Sequence, residues 1–199
     1  MKFEYIQKTG TKIPIPQNYK DCFELIRSDY FRYKWCKASL FKMFLYSLAT
    51  ANFGFNFWFR LCQYKGFFYP ICLFMHRMYM MRYGIQILPE TKIGYGLYIS
   101  HGFGSFVNPA AKIGNNCNIS QCSTIGSSAG KGAVIGDNVY IGPNTCLIDD
   151  VVVGSNATIG AGAIVTKDVP SNCVAVGNPA QVILSHLRPG SYVEHRWES

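Results

Sequence analysis

Histidine is the side chain best suited to move a proton near neutral pH. The sequence has four, at positions 76, 101, 186 and 195. A lone histidine is more often structural than catalytic, so its position along the chain matters. His76 lies among aromatic residues and is predicted to be structural. His101 is followed by Gly102 and Gly104. It is the candidate catalytic residue, and the next question is which secondary-structure elements position it.

The cysteines do not predict a metal centre or a disulfide framework. All eight are scattered, and no two are spaced as a Cys-x-x-Cys pair. The first residues, MKFEYIQKTGTK, lack the apolar stretch of a secretory signal. We therefore expect a reduced, cytoplasmic protein without a metal ion.

Charge and glycine are divided unevenly along the 199-residue chain. Residues 1–84 contain 13 Lys and Arg against 4 Asp and Glu, whereas residues 85–199 contain 6 against 7. The first part has 4 glycines and the second has 15. The positive excess therefore belongs to the first part alone. The composition excludes a collagen, a coiled coil and a disulfide knot.

The first part predicts helices. Apolar residues recur at intervals of three and four from residue 21 to about 83. Gly54, Gly66 and Pro70 are predicted breaks between helices, and residues 8–16 are predicted to form an extended arm. The longest uncharged run, residues 43–59, has 17 residues and is short for a membrane span of ~20.

From residue 87 onward the period is six. Aliphatic residues stand at 87, 93, 99, 107, 113, 119, 125, 135, 141, 147, 153, 159 and 165. Seven of these thirteen are followed directly by glycine. A six-residue repeat predicts a parallel β-helix, in which three hexads form one triangular coil. Thirteen hexads predict about four coils.

The repeat is interrupted twice, by two extra residues between 99 and 107 and by four between 125 and 135. Insertions leave the coil as loops, and loops often carry functional residues. His101 lies in the first interruption and Lys131 in the second.

Several stretches resemble the serine acetyltransferase branch of the hexapeptide-repeat acyltransferases. They are LPETKIGYGLYISHGFG (88–104), VNPAAKIGNNCNISQCSTIG (107–126), IGAGAIVTKDVPSNCVAVGNPAQVI (159–183) and, upstream, LIRSDYFRY (25–33). The resemblance implies a left-handed parallel β-helix with an N-terminal α-helical region. It also implies a homotrimer that uses acetyl-CoA in the grooves between neighbouring coils. Carbonic anhydrases on this coil need three histidines for zinc, whereas the coil here has one.

The resemblance also implies roles for particular residues. The histidine of the family motif falls on His101, which would act as a general base on an acceptor hydroxyl. Ala161 would offer a backbone contact to the pantetheine arm, with Thr166 and Lys167 near the nucleotide. Lys167 is either a 3′-phosphate contact or a solvated turn residue. Lys131 is a second phosphate candidate, because a glutamine stands where related members place an arginine.

Three positions depart from that branch. Gln86 stands where a carboxylate pairs with the catalytic histidine, and Ser100 stands where Asp usually precedes it. The loop at 127–133, SSAGKGA, lacks the Arg-His pair that grips the serine carboxylate. Either Gln86 or a backbone carbonyl would orient His101. Because unpaired charges are costly to bury, these departures predict a neutral acceptor, a sugar of a bacterial surface polysaccharide. The alternatives are a serine acetyltransferase of cysteine biosynthesis and a non-catalytic trimeric scaffold.

The expected organisation has three parts: an arm and helical region at 1–84, an acyltransferase coil at 85–183 and a tail at 184–199. Two interpretations of the basic, aromatic first part stay open. Its cations form the solvated face of a trimer, or they attach the protein peripherally to the inner face of an anionic membrane. Nucleic-acid binding is not expected, because no recognition motif is present.

Overall fold

The computed structural model describes residues 1–128, 130–183 and 190–198. A hairpin comes first, then four helices, then a parallel coil. The hairpin and helices are β1 (Lys2–Ile6), β2 (Thr11–Ile15), α1 (Tyr19–Lys34), α2 (Leu40–Ala49), α3 (Ala51–Cys62) and α4 (Tyr69–Tyr83). The strands of the coil are β3 (Gln86–Ile87), β4 (Lys92–Ile93), β5 (Tyr98–Ile99), β6 (Phe106–Val107), β7 (Lys112–Ile113), β8 (Asn118–Ile119), β9 (Thr124–Gly126), β10 (Val134–Ile135), β11 (Tyr140–Ile141), β12 (Cys146–Ile148), β13 (Val152–Val153), β14 (Thr158–Ile159), β15 (Ile164–Val165), β16 (Val174–Val176) and β17 (Gln181–Ile183).

The strands of the coil form three parallel faces. The first face is β3, β6, β9, β12 and β15, the second is β4, β7, β10 and β13, and the third is β5, β8, β11, β14 and β16. Strand β17 adds to the third face in the antiparallel direction. All thirteen aliphatic residues of the hexads are buried in one shared core. The predicted parallel β-helix of about four turns is therefore confirmed, and the fold is consistent with a left-handed coil.

Asparagines make one corner of the coil repeat. Asn116, Asn138, Asn156 and Asn172 each have a positive φ, between 54° and 60°, at successive turns from the second face to the third. Asparagine tolerates this left-handed conformation better than most residues. The side chains also bond along the axis, since Asn138 donates to Asn156 at 3.1 Å and Asn156 donates to Asn172 at 3.1 Å.

Two of the three predicted helix breaks lie near the start of α4, whereas the breaks at residues 35–39 and at residue 50 were not predicted. Gly66 lies between α3 and α4, and Pro70 lies in the first turn of α4, where proline is tolerated. The predicted break at Gly54 is wrong, because this residue lies inside α3. A Cβ there would collide with the Tyr79 ring and the Ser47 carbonyl oxygen, so Gly54 serves close helix packing. Among the described residues, no helix is long and apolar enough to cross a bilayer.

Residues 8–16 form part of a hairpin, not the predicted extended arm. Strand β2 pairs antiparallel with β1, with Lys2 opposite Ile15 and Ile6 opposite Thr11. The pairing satisfies backbone groups that a lone strand would leave open. It also places Ile6 and Ile13 against Val134 of the second face.

Helix side chains complete the hydrogen bonding of the first coil. A β-helix leaves backbone groups unpaired at its open end, where no further coil lies below. The side chains that bond to them are Ser28, Asp29, Arg32, Tyr33, Asn56, Arg60, Gln63 and His76. Arg60 is fully buried and donates to the carbonyl oxygens of Ile93 at 2.8 Å and Gly94 at 2.6 Å. Its charge is paired with Asp29 at 2.8 Å.

Candidate active site

The second face of the coil is covered by the hairpin. Lys92 and Lys112 are neighbours in register, and the carboxylate of Glu4 binds both, at 2.6 and 2.8 Å. These contacts lower the pKa of Glu4, because both ammonium groups donate hydrogen bonds to the carboxylate. One acidic residue of the hairpin therefore binds two lysines of the second face, and the hairpin covers this face.

The third face is covered by α1 and by residues 190–198. The guanidinium of Arg32 donates to the side-chain oxygen of Asn118 at 2.6 Å. The Tyr33 ring lies 4.6 Å from that of Tyr98. The Asn118 amide also donates to the carbonyl oxygen of Tyr192 at 2.9 Å. The outward positions of this face are thus used for packing within the chain.

The first face has no comparable cover in the described part of the chain. Its outward residues, in axial order, are Gln86, Phe106, Thr124, Cys146 and Ile164. Phe106 keeps 46% of its surface exposed, although it lies on a regular strand. The first face is therefore the side of the coil that is open to a ligand.

His101 lies at the corner where the third face turns into the first. The equivalent corners higher in the coil are four residues long, at 120–123, 142–145 and 160–163, whereas this corner spans six, 100–105. The predicted two-residue insertion is thus confirmed as a wider turn. His101 has φ +53° and an exposed side chain. The same left-handed conformation occurs at other corners of the coil, such as Cys122 and Asn144, so the inserted turn and not the φ value distinguishes His101.

The turn that carries His101 is held from below and from above. Its lower contacts are with the helices: the backbone N–H of Gly104 donates to the carbonyl oxygen of Tyr83 at 3.1 Å. A Cβ at Gly102 would overlap the side-chain oxygen of Asn52, so the turn packs closely against α3 at this glycine. From the next coil, the N–H of Cys122 donates to the carbonyl oxygen of Phe103 at 2.9 Å. The backbone that carries the exposed imidazole is therefore fixed by hydrogen bonds on both sides.

Gln86 is exposed on the first face, at the level of the coil that ends at His101. It lines a cavity of about 270 Å³. The other lining residues are Leu88, Phe106, Val107, Asn108, Pro109, Thr124, Ile125, Gly126 and Ser127, so no lining side chain is charged. His101 is not part of this lining, and no hydrogen bond joins it to Gln86 within the described chain. The structure places both residues at the first face without direct contact between them.

The remaining predicted residues border the same face farther along the axis. Ala161 lies at the corner above His101, three coils away, which is roughly 15 Å at the spacing of paired strands. Thr166 and Lys167 lie on the opposite border, where the first face turns into the second. All three are exposed. An elongated substrate could run from His101 to this end of the face.

Lys167 lies in an electrostatically mixed cavity of about 570 Å³. Thr166 and Lys8 line it, together with three carboxylates, those of Asp149, Asp150 and Asp168. The backbone N–H and hydroxyl of Ser128 donate to Asp149 and lower its pKa. Two cations against three carboxylates make a poor phosphate site within one chain. Lys131 is exposed in the loop at 127–133 and has no ion-pair partner among the described residues.

Sequence reasoning missed the outward residues of the first face. Phe106 and Thr124 immediately precede the buried aliphatic of their hexads, so a period-two alternation within each strand points them outward. That signal was available. Their grouping on an uncovered face was not, because it depends on which faces the hairpin and α1 occupy. Elsewhere, no three His, Cys, Asp or Glu side chains group together as a metal site in residues 1–128, 130–183 and 190–198.

Sequence and structure comparisons identify relatives of the coil. Residues 132–167 match the family described as bacterial transferase hexapeptide (six repeats). The chain is 36% identical to a serine acetyltransferase of Synechococcus elongatus over 104 residues, which cover 50% of this chain and 43% of the relative. It is 35% identical to a serine acetyltransferase of Staphylococcus aureus over 118 residues, covering 57% and 55%. The chain thus spans about half the length of these curated relatives.

A solved structure extends the likeness beyond the coil. The crystal structure of Neisseria gonorrhoeae serine acetyltransferase in complex with serine matches with a TM-score of 0.67 and 28% identity. The match covers 81% of this chain and 69% of that chain. It therefore includes helices as well as coil.

The comparisons contradict the predicted sugar acceptor. The matched relatives and structures are serine acetyltransferases, and none points to a polysaccharide-modifying enzyme. The prediction of polysaccharide biosynthesis is therefore wrong. It relied on missing charges at three sequence positions. An acceptor is recognised by the whole surface of a site, so three positions do not determine its class.

The repeat, the buried hexad aliphatics and the matched relatives agree with one another. The coil of this chain is therefore similar to the coil of the hexapeptide-repeat acyltransferases.

Proposed function

We propose that the protein transfers an acetyl group from acetyl-CoA to the hydroxyl of L-serine. The observation that carries this proposal is the position of His101. Its side chain is exposed on an inserted turn at the border of the first face, which no other described element covers. The likeness to serine acetyltransferases supports serine as the acceptor.

His101 acts as the general base. A serine hydroxyl attacks a thioester poorly because its pKa lies far above neutrality. The neutral imidazole takes the hydroxyl proton as the oxygen bonds to the acetyl carbonyl carbon. The tetrahedral intermediate then collapses, the carbon–sulfur bond breaks, and the imidazolium returns its proton to the departing thiolate. The acetyl group passes directly to serine, so no acyl-enzyme forms.

Acetyl-CoA lies along the first face, with its thioester at His101 and its nucleotide toward the far end. Ala161 offers backbone contact to the pantetheine arm, and Thr166 contacts the nucleotide. Lys167 or Lys131 meets the 3′-phosphate as a point charge. The carboxylates around Lys167 favour Lys131 for this role, or a cation from a second copy in a trimer.

The test is release of the CoA thiol from acetyl-CoA in the presence of L-serine. We expect His101→Ala to lower kcat by roughly 100- to 10,000-fold, the usual contribution of a general base. His195→Ala is the matched control, because this histidine lies outside the first face and stacks on Trp35. Its activity should equal that of the wild type.

Two outcomes would contradict the proposal. Unchanged activity in His101→Ala would remove the base assignment. Robust transfer to other hydroxyl compounds, with none to serine, would remove the acceptor assignment.

We also propose that the two parts of the chain have different functions. Residues 85–183 form the catalytic unit, which works in the cytoplasm where acetyl-CoA is made available. Residues 1–84 cap this unit and, through part of their surface, carry a second activity.

A further inference from the structure

Helix α4 exposes an apolar stripe to solvent. Its members are Ile71, Phe74, Met78 and Met81, and Met81 is 74% exposed. At about 100° per residue, these four side chains fall within an arc of about 80°. Arg77 and Arg82 lie on either side of this arc, and both are exposed. The opposite side of the helix carries Cys72 and His76, which are buried.

Helix α2 exposes a second stripe. Its members are Leu40, Phe41, Phe44, Leu45 and Leu48, and Phe41 is 71% exposed. The opposite side, with Met43 and Ser47, is buried. Ten residues of helix therefore present five large apolar side chains to water. Monomeric soluble proteins rarely expose an apolar patch this continuous, and such patches mark interaction sites.

The two stripes belong to one surface. An apolar cavity of about 330 Å³ lies between them, with Phe44 of α2 on one side and Phe68 and Ile71 on the other. Trp58 and Leu61 of α3 also line it, and it has no polar lining. The hydroxyl of Tyr79 in α4 donates to the carbonyl oxygen of Ser47 in α2 at 2.8 Å, which ties the helices together. We call this combined surface the α2–α4 face.

The charge on the two helices has one sign. No Asp or Glu occurs between Asp29 and Glu90, so α2 and α4 carry only cations. The exposed cations in and around the two helices are Lys37, Lys42, Lys65, Arg77 and Arg82. None of them forms an ion pair among the described residues. The surface therefore complements a partner that has an apolar interior and a negatively charged outer layer.

We propose that the α2–α4 face binds the surface of an anionic lipid bilayer. Helices with an apolar side and flanking Lys and Arg lie in the bilayer interface, with the apolar side chains below the headgroups and the cations among them. A second copy of this chain that pairs through the same face fits less well. In such a two-fold interface the same patch meets itself, so these cations would face one another with no carboxylate between them. A contact of this face with a different surface of a second copy is an outcome of the light-scattering measurement below.

The experiment measures sedimentation of the full chain with vesicles, without reference to enzyme activity. Vesicles of phosphatidylcholine alone are compared with vesicles that also contain phosphatidylserine, at low and at high salt. We expect binding to the mixed vesicles that weakens at high salt, because each cation near an anionic surface contributes roughly a fivefold change in partitioning.

Paired variants separate the apolar and charged contributions. Phe74→Ser with Met78→Ser should lower partitioning into the vesicles by at least about tenfold, because two apolar side chains no longer enter the bilayer. Arg77→Gln with Arg82→Gln should lower it by roughly 25-fold for mixed vesicles and weaken the salt dependence, because two of the five cations are removed. The matched control is Phe3→Ser with Tyr5→Ser, which removes two exposed aromatic rings from the hairpin. The control should bind as the wild type does, and circular dichroism confirms that each variant is folded.

Three results would overturn the proposal. They are no binding of the wild type to mixed vesicles, equal binding to both kinds of vesicle, and equal loss in the hairpin control. If Phe74→Ser with Met78→Ser changes the oligomeric state in light scattering while the wild type ignores vesicles, a second copy covers this face. The two proposals fail separately. A variant that loses vesicle binding but keeps acetyl transfer affects only the membrane proposal, and a variant that loses acetyl transfer but still binds vesicles affects only the proposed function.

Discussion

The coil buries no charged side chain, whereas the helical region buries Asp21, Asp29, Arg32, Arg60 and His76. The difference follows from how each region satisfies its backbone. Within the coil, each turn supplies hydrogen-bond partners to the next, so no charged side chain is needed there. The first turn has no neighbour below it, and side chains of the helices take the place of the missing turn. A repeat protein thus needs a cap with polar groups that the repeat itself does not contain.

The cap is broken most severely by Arg60→Met. Removal of the guanidinium leaves Asp29 buried without its partner and the carbonyl oxygens of Ile93 and Gly94 without a donor. We expect a loss of about 3–5 kcal/mol in the free energy of unfolding, measured by urea denaturation. Lys92→Met is the matched control, because its ion pair with Glu4 is exposed and worth less than about 1 kcal/mol. Equal losses in the two variants would show that the buried pair does not cap the coil.

Acid should weaken the cap through His76. Burial lowers the pKa of His76 to about 4, and its Nε2 lies 3.0 Å from the carbonyl oxygen of Ile87. In the unfolded chain the pKa is about 6.5, so between these values the unfolded state binds a proton that the folded state does not. Stability from this group is complete above about pH 6.5 and falls as the pH drops, by roughly 2 kcal/mol at about pH 5.

The measurement compares urea denaturation at neutral and acidic pH for the wild type and His76→Gln. The glutamine keeps a donor for Ile87 but has no titration, so this part of the pH dependence should disappear. Parallel pH profiles for the two proteins would show that His76 is not held neutral in the folded state.

The smallest expected effect concerns the open face of the coil. Gln86→Glu introduces a carboxylate beside the His101 turn, and a carboxylate stabilises an imidazolium better than an amide does. If Gln86 orients His101, kcat for acetyl transfer should rise by roughly 2- to 10-fold, the range of one hydrogen bond. The acidic limb of the pH–rate profile should move to higher pH. Gln86→Ala is the companion variant, and unchanged kinetics in both would assign the orienting role to another group.

Much of the site was visible before the structure. The hexad interruption at residues 100–105 marked the turn that carries His101, because a break in a strict period can only be a loop. The roles of Ala161, Thr166 and Lys167 were predicted from the family resemblance and stay predictions. The carboxylates around Lys167 were not predicted, since Asp149 and Lys167 are brought together by adjacent coils. The acceptor prediction failed for a related reason, because it treated three separate positions as a complete pocket.

The sequence by itself determined the coil, its buried aliphatic residues and the two places where it is interrupted. These depend on a short period in which each residue's direction follows from its position in the hexad. Only the tertiary structure decided which face stays open, how residues 2–15 pair, and which helix surfaces remain in water. Those outcomes depend on contacts such as Glu4 with Lys92 and Arg60 with Gly94. The partners in such contacts lie far apart in sequence, and no local pattern specifies them.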